Sequence, residues 1–146
     1  MSKRIDISKV QPKAIQAMMG VESYLSTSDI PVTLCELIKL RASMINKCAY
    51  CIQMHAPVAL AHNETEQRLL ALSAWEESPL FSETERAVLA MTDEITLISD
   101  HGLSDETYQR CLTLLGENVL AQCIMQIITI NAWNRFAVST KMVHEE

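Results

Sequence analysis

The stretch from 118 to 139, near the end of the chain, most restricts what this sequence can fold into. Its residues, NVLAQCIMQIITINAWNRFAVS, make a helix that is apolar nearly all round, with Gln122, Gln126 and Thr129 as polar interruptions at i, i+4 and i+7. Such a helix normally lies at the centre of a domain or at a subunit interface. The stretch therefore predicts other helices packed around it, and a homo-oligomer.

The rest of the chain supports an all-α fold in a single domain spanning 1–146. Its 146 residues are 49% hydrophobic and include only three glycines and four prolines, which suits helices better than a sandwich with many turns. Leu69, Leu70, Leu72 and Trp75 are expected on one apolar side, and Arg41 is expected to play a structural role, with its stem packed or its head group paired with a carboxylate. Apolar periodicity and capping residues predict helices over 12–25, 31–45, 47–62, 64–75, 83–98, 104–115 and 118–139.

Charge and terminal sequence limit the classes of partner and compartment. The net charge of −6 and the pI near 5.2 argue against nucleic acid or an anionic membrane as the main partner. The opening MSKRIDISKVQPK has no apolar segment of the secretory type, which predicts a cytoplasmic protein. Gln122 and Gln126 interrupt the longest apolar run, so no membrane segment is expected.

Two cysteines and a histidine in the stretch from 47 to 62 suggest a chemistry. Asn46 is a plausible N-cap for a helix that starts at Lys47, which places Cys48 in the first turn. Cys48, Cys51 and His55 follow one another at i, i+3 and i+7 and share one helical face. A helix N-terminus favours thiolate over thiol. His55 can take the proton of the Cys51 thiol, and Cys48 can then resolve a sulfenic acid on Cys51 into a disulfide.

Glu36 joins this group through the expected geometry of a helical hairpin. If the helix over 31–45 turns at Asn46 into an antiparallel neighbour, Glu36 and His55 lie at nearly equal distances from the turn and face each other. The carboxylate would then orient the imidazole that activates Cys51. Alternatively, Glu36 lies on a solvated stripe with Lys39, Ser43 and Asn46.

Other interpretations of the cysteine pair are structural. Two cysteines inside a helix can be small buried hydrophobes. A structural zinc site needs four ligands, but this chain has one CxxC and a single nearby histidine, so no metal is expected. Ile52 stands where a c-type haem attachment needs histidine, and a thioredoxin-like motif needs strands that the sequence does not predict.

The spacing of these residues resembles a known family motif. Glu36, eleven residues, Cys48, two residues, Cys51, three residues and His55 resemble the core motif of the alkylhydroperoxidase AhpD-like group in the carboxymuconolactone decarboxylase family. The central RASMINKCAYCIQMH and the later SAWEESPLFSETERAVL and INAWNRFAVST are also similar to single-domain members. The similarity covers nearly the whole chain.

The resemblance implies a fold of about seven helices around a central CxxC helix, and oligomers such as trimers or hexamers. It implies a thiol peroxidase or disulfide reductase that acts on hydroperoxides without a cofactor, with a dithiol or a lipoylated protein as reductant. Cys51 would be the peroxidatic cysteine, Cys48 the resolving one, and His55 and Glu36 the proton relay. Tyr50 is a departure, because AhpD has a histidine between its cysteines, and this concerns both peroxidase efficiency and the lipoylated reductant.

Three other functions remain open from the sequence. The disulfide could serve a non-catalytic redox sensor by changing packing or partner binding. A plain helical oligomerisation module would have inert thiols. A lyase acting on a muconolactone fits poorly, because the decarboxylase branch of the family lacks the CxxC pair.

Overall fold

A computed structural model describes residues 4–144 of the chain, and this part is helical throughout, with no β-strand. The seven predicted helices are all present, the last two as the arms of one long helix, and two single-turn helices, Ile7–Val10 and Ile98–His101, are additional. A 3₁₀ turn at Leu72–Ala74 extends the helix Glu66–Ala71. The α-helices are α1 (Ile7–Val10), α2 (Pro12–Leu25), α3 (Val32–Ile45), α4 (Ala49–Ala61), α5 (Glu66–Ala71), α6 (Glu83–Thr96), α7 (Ile98–His101) and α8 (Asp105–Thr140).

The arm of α8 that follows Gly116 occupies the centre of the fold, as its apolar sequence predicted. Gly116 separates the arms with φ 76° and ψ 166°, backbone angles that only glycine adopts readily. Helix α8 as a whole packs against α2, α3, α4 and α6. Its inward residues join α3 and α6 in one core, which includes Ile38, Ala42, Val88, Met91, Leu120, Cys123, Ile127 and Ile130.

Helix α8 is also long and apolar enough to cross a membrane by length and composition alone. Within the described chain it packs on four other helices, and buried polar side chains on it bond to α6 and α3. Asn131 donates to the Thr96 hydroxyl and Asn134 donates to the Ser43 hydroxyl, at 3.0 and 2.9 Å. These partners give α8 its place in the helical bundle.

Asn46 does not cap α4 as predicted; it ends α3 and bonds to α8 instead. Its side-chain amide donates to the Oδ1 atoms of Asn131 and Asn134, each at 2.9 Å. Lys47 follows in the left-handed region, with φ 54°, which turns the chain sharply. The N-cap of α4 is therefore Cys48. The Asn46 side chain is bonded to α8 and therefore does not cap α4.

Two further predictions about apolar positions need correction. Leu69, Leu72 and Trp75 are buried as expected, but Leu70 is 78% exposed, because it points away from the core in the short α5. Helix α6 ends at Thr96 rather than at Ile98, since Leu97 has the non-helical angles φ −97° and ψ 42°. Ile98 is exposed in α7. The predicted capping box of Ser82 and Glu85 is confirmed at the start of α6.

Arg41 has the predicted structural role and pairs with a carboxylate. Its guanidinium donates to both Asp93 oxygens, at 2.6 and 3.0 Å, and to the carbonyl oxygens of Leu72 and Ser73. Asp93 also accepts from the Trp75 indole at 3.0 Å. This group joins α3, the 3₁₀ turn and α6, the helices that support the Glu36 side of the hairpin.

We predict that Asp93→Ala lowers the free energy of unfolding by about 2–3 kcal/mol, because it leaves a half-buried guanidinium and an indole N–H without their acceptor. Urea denaturation measures the change. The matched control is Asp100→Ala, at an exposed aspartate of α7, which should cost less than about 0.5 kcal/mol. A loss below about 1 kcal/mol for Asp93→Ala would show that the group adds little.

Candidate active site

The candidate site lies at the start of α4, where the turn after α3 places two cysteines. Cys48 has extended backbone angles, φ −88° and ψ 90°, and its sulfur accepts the amide N–H of Cys51 at 3.3 Å. The sulfur thus takes the place of the usual oxygen of an N-cap residue. Cys51 follows in the first turn of α4. Both sulfurs are therefore at the positive end of the helix, as the sequence predicted, although Cys48 is the cap and not a first-turn residue.

Cys48 and Cys51 are joined by a disulfide, with their Cα atoms 5.3 Å apart. Both are buried and pack with Ala137 of α8, beside Tyr50. The other cysteines, Cys35, Cys111 and Cys123, are free. The structure thus brings together the two cysteines that the spacing predicted.

The three free cysteines lie in surroundings that disfavour the thiolate. Burial raises the pKa of Cys111 to about 11 and that of Cys123 to about 12, and burial also raises the pKa of Cys35. A thiol with a raised pKa is a poor nucleophile near neutral pH. These three cysteines are therefore poorer candidates for a nucleophile than the pair at the start of α4.

The hairpin of α3 and α4 brings Glu36 opposite His55, as the distances from the turn predicted. His55 Nδ1 lies 3.2 Å from Glu36 Oε2, and Lys39 Nζ donates to Glu36 Oε1 at 2.8 Å. Glu36 is only 3% exposed, so the alternative of a solvated stripe is wrong for it; Ser43 is buried as well. The carboxylate lies between two groups that can carry positive charge.

These neighbours determine the ionisation of Glu36. Burial raises the pKa of its carboxyl, but the contacts with His55 and Lys39 outweigh burial and hold the pKa below its ordinary value. The carboxylate is therefore ionised at neutral pH. The His55 ring is not aligned for a good hydrogen bond, and Glu36 Oε2 has no hydrogen-bond partner in the described chain. Nδ1 faces the carboxylate, which leaves Nε2 as the nitrogen available for chemistry.

A cavity of about 360 Å³ opens beside this group. Cys51 and His55 line it, whereas Cys48 is absent from its lining. Lys39, Glu22 and Gln126 supply the polar part of the lining. The remaining walls are mostly apolar and come from α2, α4, α8 and the segment after α8, with Met19, Tyr50, Met54, Ile130, Trp133, Phe136, Ala137 and Met142. One sulfur of the pair thus faces a cavity that suits an apolar molecule.

The sequence did not predict the walls of this cavity. Trp133 and Phe136 lie on the helix that was predicted to be central, and Met19 lies on α2, for which packing was the predicted role. The sequence feature that could have identified Gln126 as a lining residue is its position as a polar residue in an apolar helix. Within residues 4–144, no cluster of three or more histidine, cysteine or acidic side chains could hold a metal ion.

Comparisons with known proteins agree with the geometry. The model of the carboxymuconolactone decarboxylase family matches residues 12–94, which is more than half of the chain. An uncharacterized protein of Bacillus subtilis strain 168, YdfG, is 38% identical over 139 residues, and the match covers 95% of each chain.

Solved structures show the same fold. A crystal structure of a protein of unknown function from Agrobacterium tumefaciens, named as a candidate antioxidant defence protein AhpD, is 34% identical with a TM-score of 0.95 and covers 99% of each chain. The debrominase Bmp8 is 20% identical with a TM-score of 0.79, over 94% of this chain and 74% of that one, a likeness of fold alone. The chain therefore belongs to the carboxymuconolactone decarboxylase family, as an AhpD-like member.

Proposed function

We propose that this protein is a thiol-dependent peroxidase, with disulfide-reductase chemistry, in which Cys51 attacks a hydroperoxide and Cys48 resolves the product. The observation that carries the proposal is that Cys51 lines the cavity together with His55, while Cys48 does not. Family membership and the CxxC pair support a redox role of the peroxidase kind in general. In the proposed cycle, the disulfide of this pair is the state that follows peroxide reduction and precedes re-reduction by a dithiol.

The reaction begins from the reduced protein. His55 takes the Cys51 proton, and the thiolate attacks the terminal oxygen of the hydroperoxide, so that an S–O bond forms and the O–O bond breaks. The leaving alkoxide accepts a proton from His55 and departs as an alcohol. Cys48 then attacks the Cys51 sulfur and releases water, which gives the disulfide. An external dithiol or a lipoylated protein returns both cysteines to thiols.

The choice of Cys51 over Cys48 rests on two magnitudes. Cys48 is nearer the helix end, but a helix-end charge effect is worth about 0.3–1 kcal/mol. General-base assistance contributes about 10²–10⁴-fold, or roughly 3–5 kcal/mol. His55 lies one helical turn from Cys51 and lines the same cavity. The base therefore outweighs the helix terminus in the proposal.

Glu36 acts through the imidazole rather than on the substrate. Its carboxylate faces Nδ1 and stabilises the imidazolium that forms when His55 takes the thiol proton. Lys39 donates to the other carboxylate oxygen, so the negative charge of Glu36 is shared between Lys39 and His55. Glu36 is thus a positioning residue, and its removal should cost less than the removal of His55.

The proposed partners follow from the same site. The hydroperoxide is the substrate, and no nucleic acid or membrane partner is proposed. A cytoplasmic location also stays a prediction.

The homo-oligomer remains a prediction too, and a surface that includes the exposed Ile98 and Ile128 supports it. Light scattering at micromolar concentration should give a multiple of the 16.4 kDa chain mass, and a monomeric mass would contradict this.

We predict that Cys51→Ser lowers the steady-state rate of cumene hydroperoxide reduction by at least about 10³-fold, because the nucleophile is lost. Dihydrolipoamide or dithiothreitol serves as the reductant. Cys48→Ser should allow one peroxide-dependent event and accumulate a sulfenic acid on Cys51, which a dimedone-type reagent and mass spectrometry detect. Serine can still cap α4, so this variant should fold.

Cys111→Ser serves as the matched control, since that buried cysteine lies outside the cavity. It should keep the parental rate. If labelling finds the sulfenic acid on Cys48 in the Cys51→Ser protein at the parental rate, the two roles are reversed. A parent protein that undergoes thiol–disulfide cycling but never turns over a peroxide would be a redox sensor instead.

A further inference from the structure

A neighbouring cavity lies beside the reaction cavity, the one that Cys51 and His55 line. It has a volume of about 520 Å³, and its walls come from residues 4–8, from α2 and from the last part of α8 with the residues that follow it. Three side chains line both cavities, namely Trp133, Phe136 and Met142. The two cavities therefore share a wall, and the proposed reaction uses only the first of them.

Two of the three side chains in the shared wall are held in place. The Trp133 indole N–H donates to Glu22 Oε1 at 2.8 Å, and the Phe136 ring packs edge-on against the Trp133 ring, with the centroids 5.7 Å apart. Met142 differs, because it follows the end of α8 at Lys141 and is 38% exposed. A methionine side chain has three rotatable bonds and adapts to irregular spaces. Met142 is therefore the part of the wall that can open and join the two cavities.

The polar groups around the neighbouring cavity already have partners in the protein or in water. Arg4 donates to a backbone carbonyl oxygen at the end of α8 at 2.6 Å, and the Thr140 hydroxyl donates to a carbonyl oxygen one turn earlier at 2.8 Å. Asp6 accepts from the N–H and the hydroxyl of Ser8, at 3.0 and 2.5 Å. Lys141 is exposed to water. These groups therefore do not require a polar ligand.

The rest of the lining of the neighbouring cavity is apolar. Besides the shared wall, it includes Ile5, Ile7, Ile15 and Val143. Ile5 is 67% exposed and Val143 is 77% exposed, so much of this apolar surface faces water. Removal of such surface from water is favourable. An apolar group that extends from the reaction cavity past Met142 would cover it.

We propose that the neighbouring cavity holds the alkyl chain of the substrate, so that the preferred substrates are hydroperoxides with a long unbranched chain. The hydroperoxide group lies at Cys51, and the chain passes Met142 into the neighbouring cavity. A thin, flexible chain suits this passage, because only one side chain must move to open it. The bonds that form and break at Cys51 are those of the proposed reaction. The substrate class thus rests on the proposed function, whereas binding of a long-chain alcohol in the two cavities does not.

The first test uses 1-pentanol and 1-decanol, unreactive analogues of the alcohol products, in isothermal titrations below their solubility limits. The parent should bind 1-decanol at least about 30-fold more tightly, because each added methylene contributes about 2–4-fold when it leaves water. The double variant Ile5→Ser/Val143→Ser should weaken 1-decanol binding by about 5–10-fold and leave 1-pentanol binding unchanged. Both substituted residues are exposed, so this variant should fold.

The matched control is Leu70→Ser/Val138→Ser, which removes two exposed apolar side chains that line neither cavity. It should leave the affinities for both alcohols at the parental values. A loss of 1-decanol binding as large as that of Ile5→Ser/Val143→Ser would show that the alcohol responds to surface hydrophobicity in general, and would overturn the inference.

A measurement on the parent protein locates the chain without any substitution. In methyl NMR spectra, the signals of Ile7 and Ile15 should shift on addition of 1-decanol and much less with 1-pentanol. The Ile130 signal should shift with both alcohols, because Ile130 lines the reaction cavity. Ile124 and Ile128 line a different apolar surface, and their signals should shift with neither. Shifts of Ile124 and Ile128 with 1-decanol, without shifts of Ile7 and Ile15, would overturn the inference.

Kinetics test the substrate class and separate it from the proposed function. The parent should reduce decyl hydroperoxide with a kcat/KM at least about 10-fold higher than for pentyl hydroperoxide, and Ile5→Ser/Val143→Ser should narrow this ratio by lowering only the decyl value. Equal values for the two substrates in an active parent would overturn the inference and leave the peroxidase proposal standing. A parent that binds 1-decanol at Ile7 and Ile15 but reduces no hydroperoxide would refute the proposed function and support the chain site.

Discussion

The buried carboxylate of Glu36 links the pairing of α3 and α4 to the position of His55. An ionised carboxylate away from water costs several kcal/mol unless other groups compensate its charge. Here Lys39 lies one turn along α3, and His55 reaches across from α4. The antiparallel pairing of α3 and α4 supplies the second neighbour, so the charge and the hairpin depend on each other. The same pairing determines where the imidazole lies relative to Cys51.

The long helix α8 bonds to the end of α3 and supplies apolar lining to the cavity. Asn131 and Asn134 accept both N–H groups of Asn46 and so hold the end of α3 at the point where the chain turns into the cysteine pair. Ile130, Trp133 and Phe136 supply apolar lining to the cavity that Cys51 and His55 also line. A lining that combines a cysteine and a histidine with mostly apolar side chains is compatible with the proposed substrate, an organic hydroperoxide, since its reactive end is polar and its remainder is not.

Much of this arrangement could be predicted from the sequence, because it depends on local spacing. Helical periodicity identified α2 and α3 closely, and counting residues from the turn placed Glu36 against His55. The errors arose where tertiary contacts decided the outcome. Asn46 is a favourable N-cap residue, but its side-chain amide donates to Asn131 and Asn134 of α8. Cys48 is therefore the N-cap of α4. Leu70 followed the apolar pattern in a helix too short to bury it. Gln126 stood out as a polar interruption, yet only the fold shows that it lines the cavity.

In the proposed mechanism, Glu36 and His55 together make Cys51 a thiolate near neutral pH. This role is tested by the pH dependence of alkylation of Cys51 by iodoacetamide in the reduced Cys48→Ser protein. The midpoint should lie well below the free thiol value of about 8.5. Adding His55→Gln should move it back toward that value, and adding Glu36→Gln should move it in the same direction by less, while Glu77→Gln, at an exposed position, should not move it. A midpoint near that of a free thiol, unchanged by either substitution at the relay, would contradict the account.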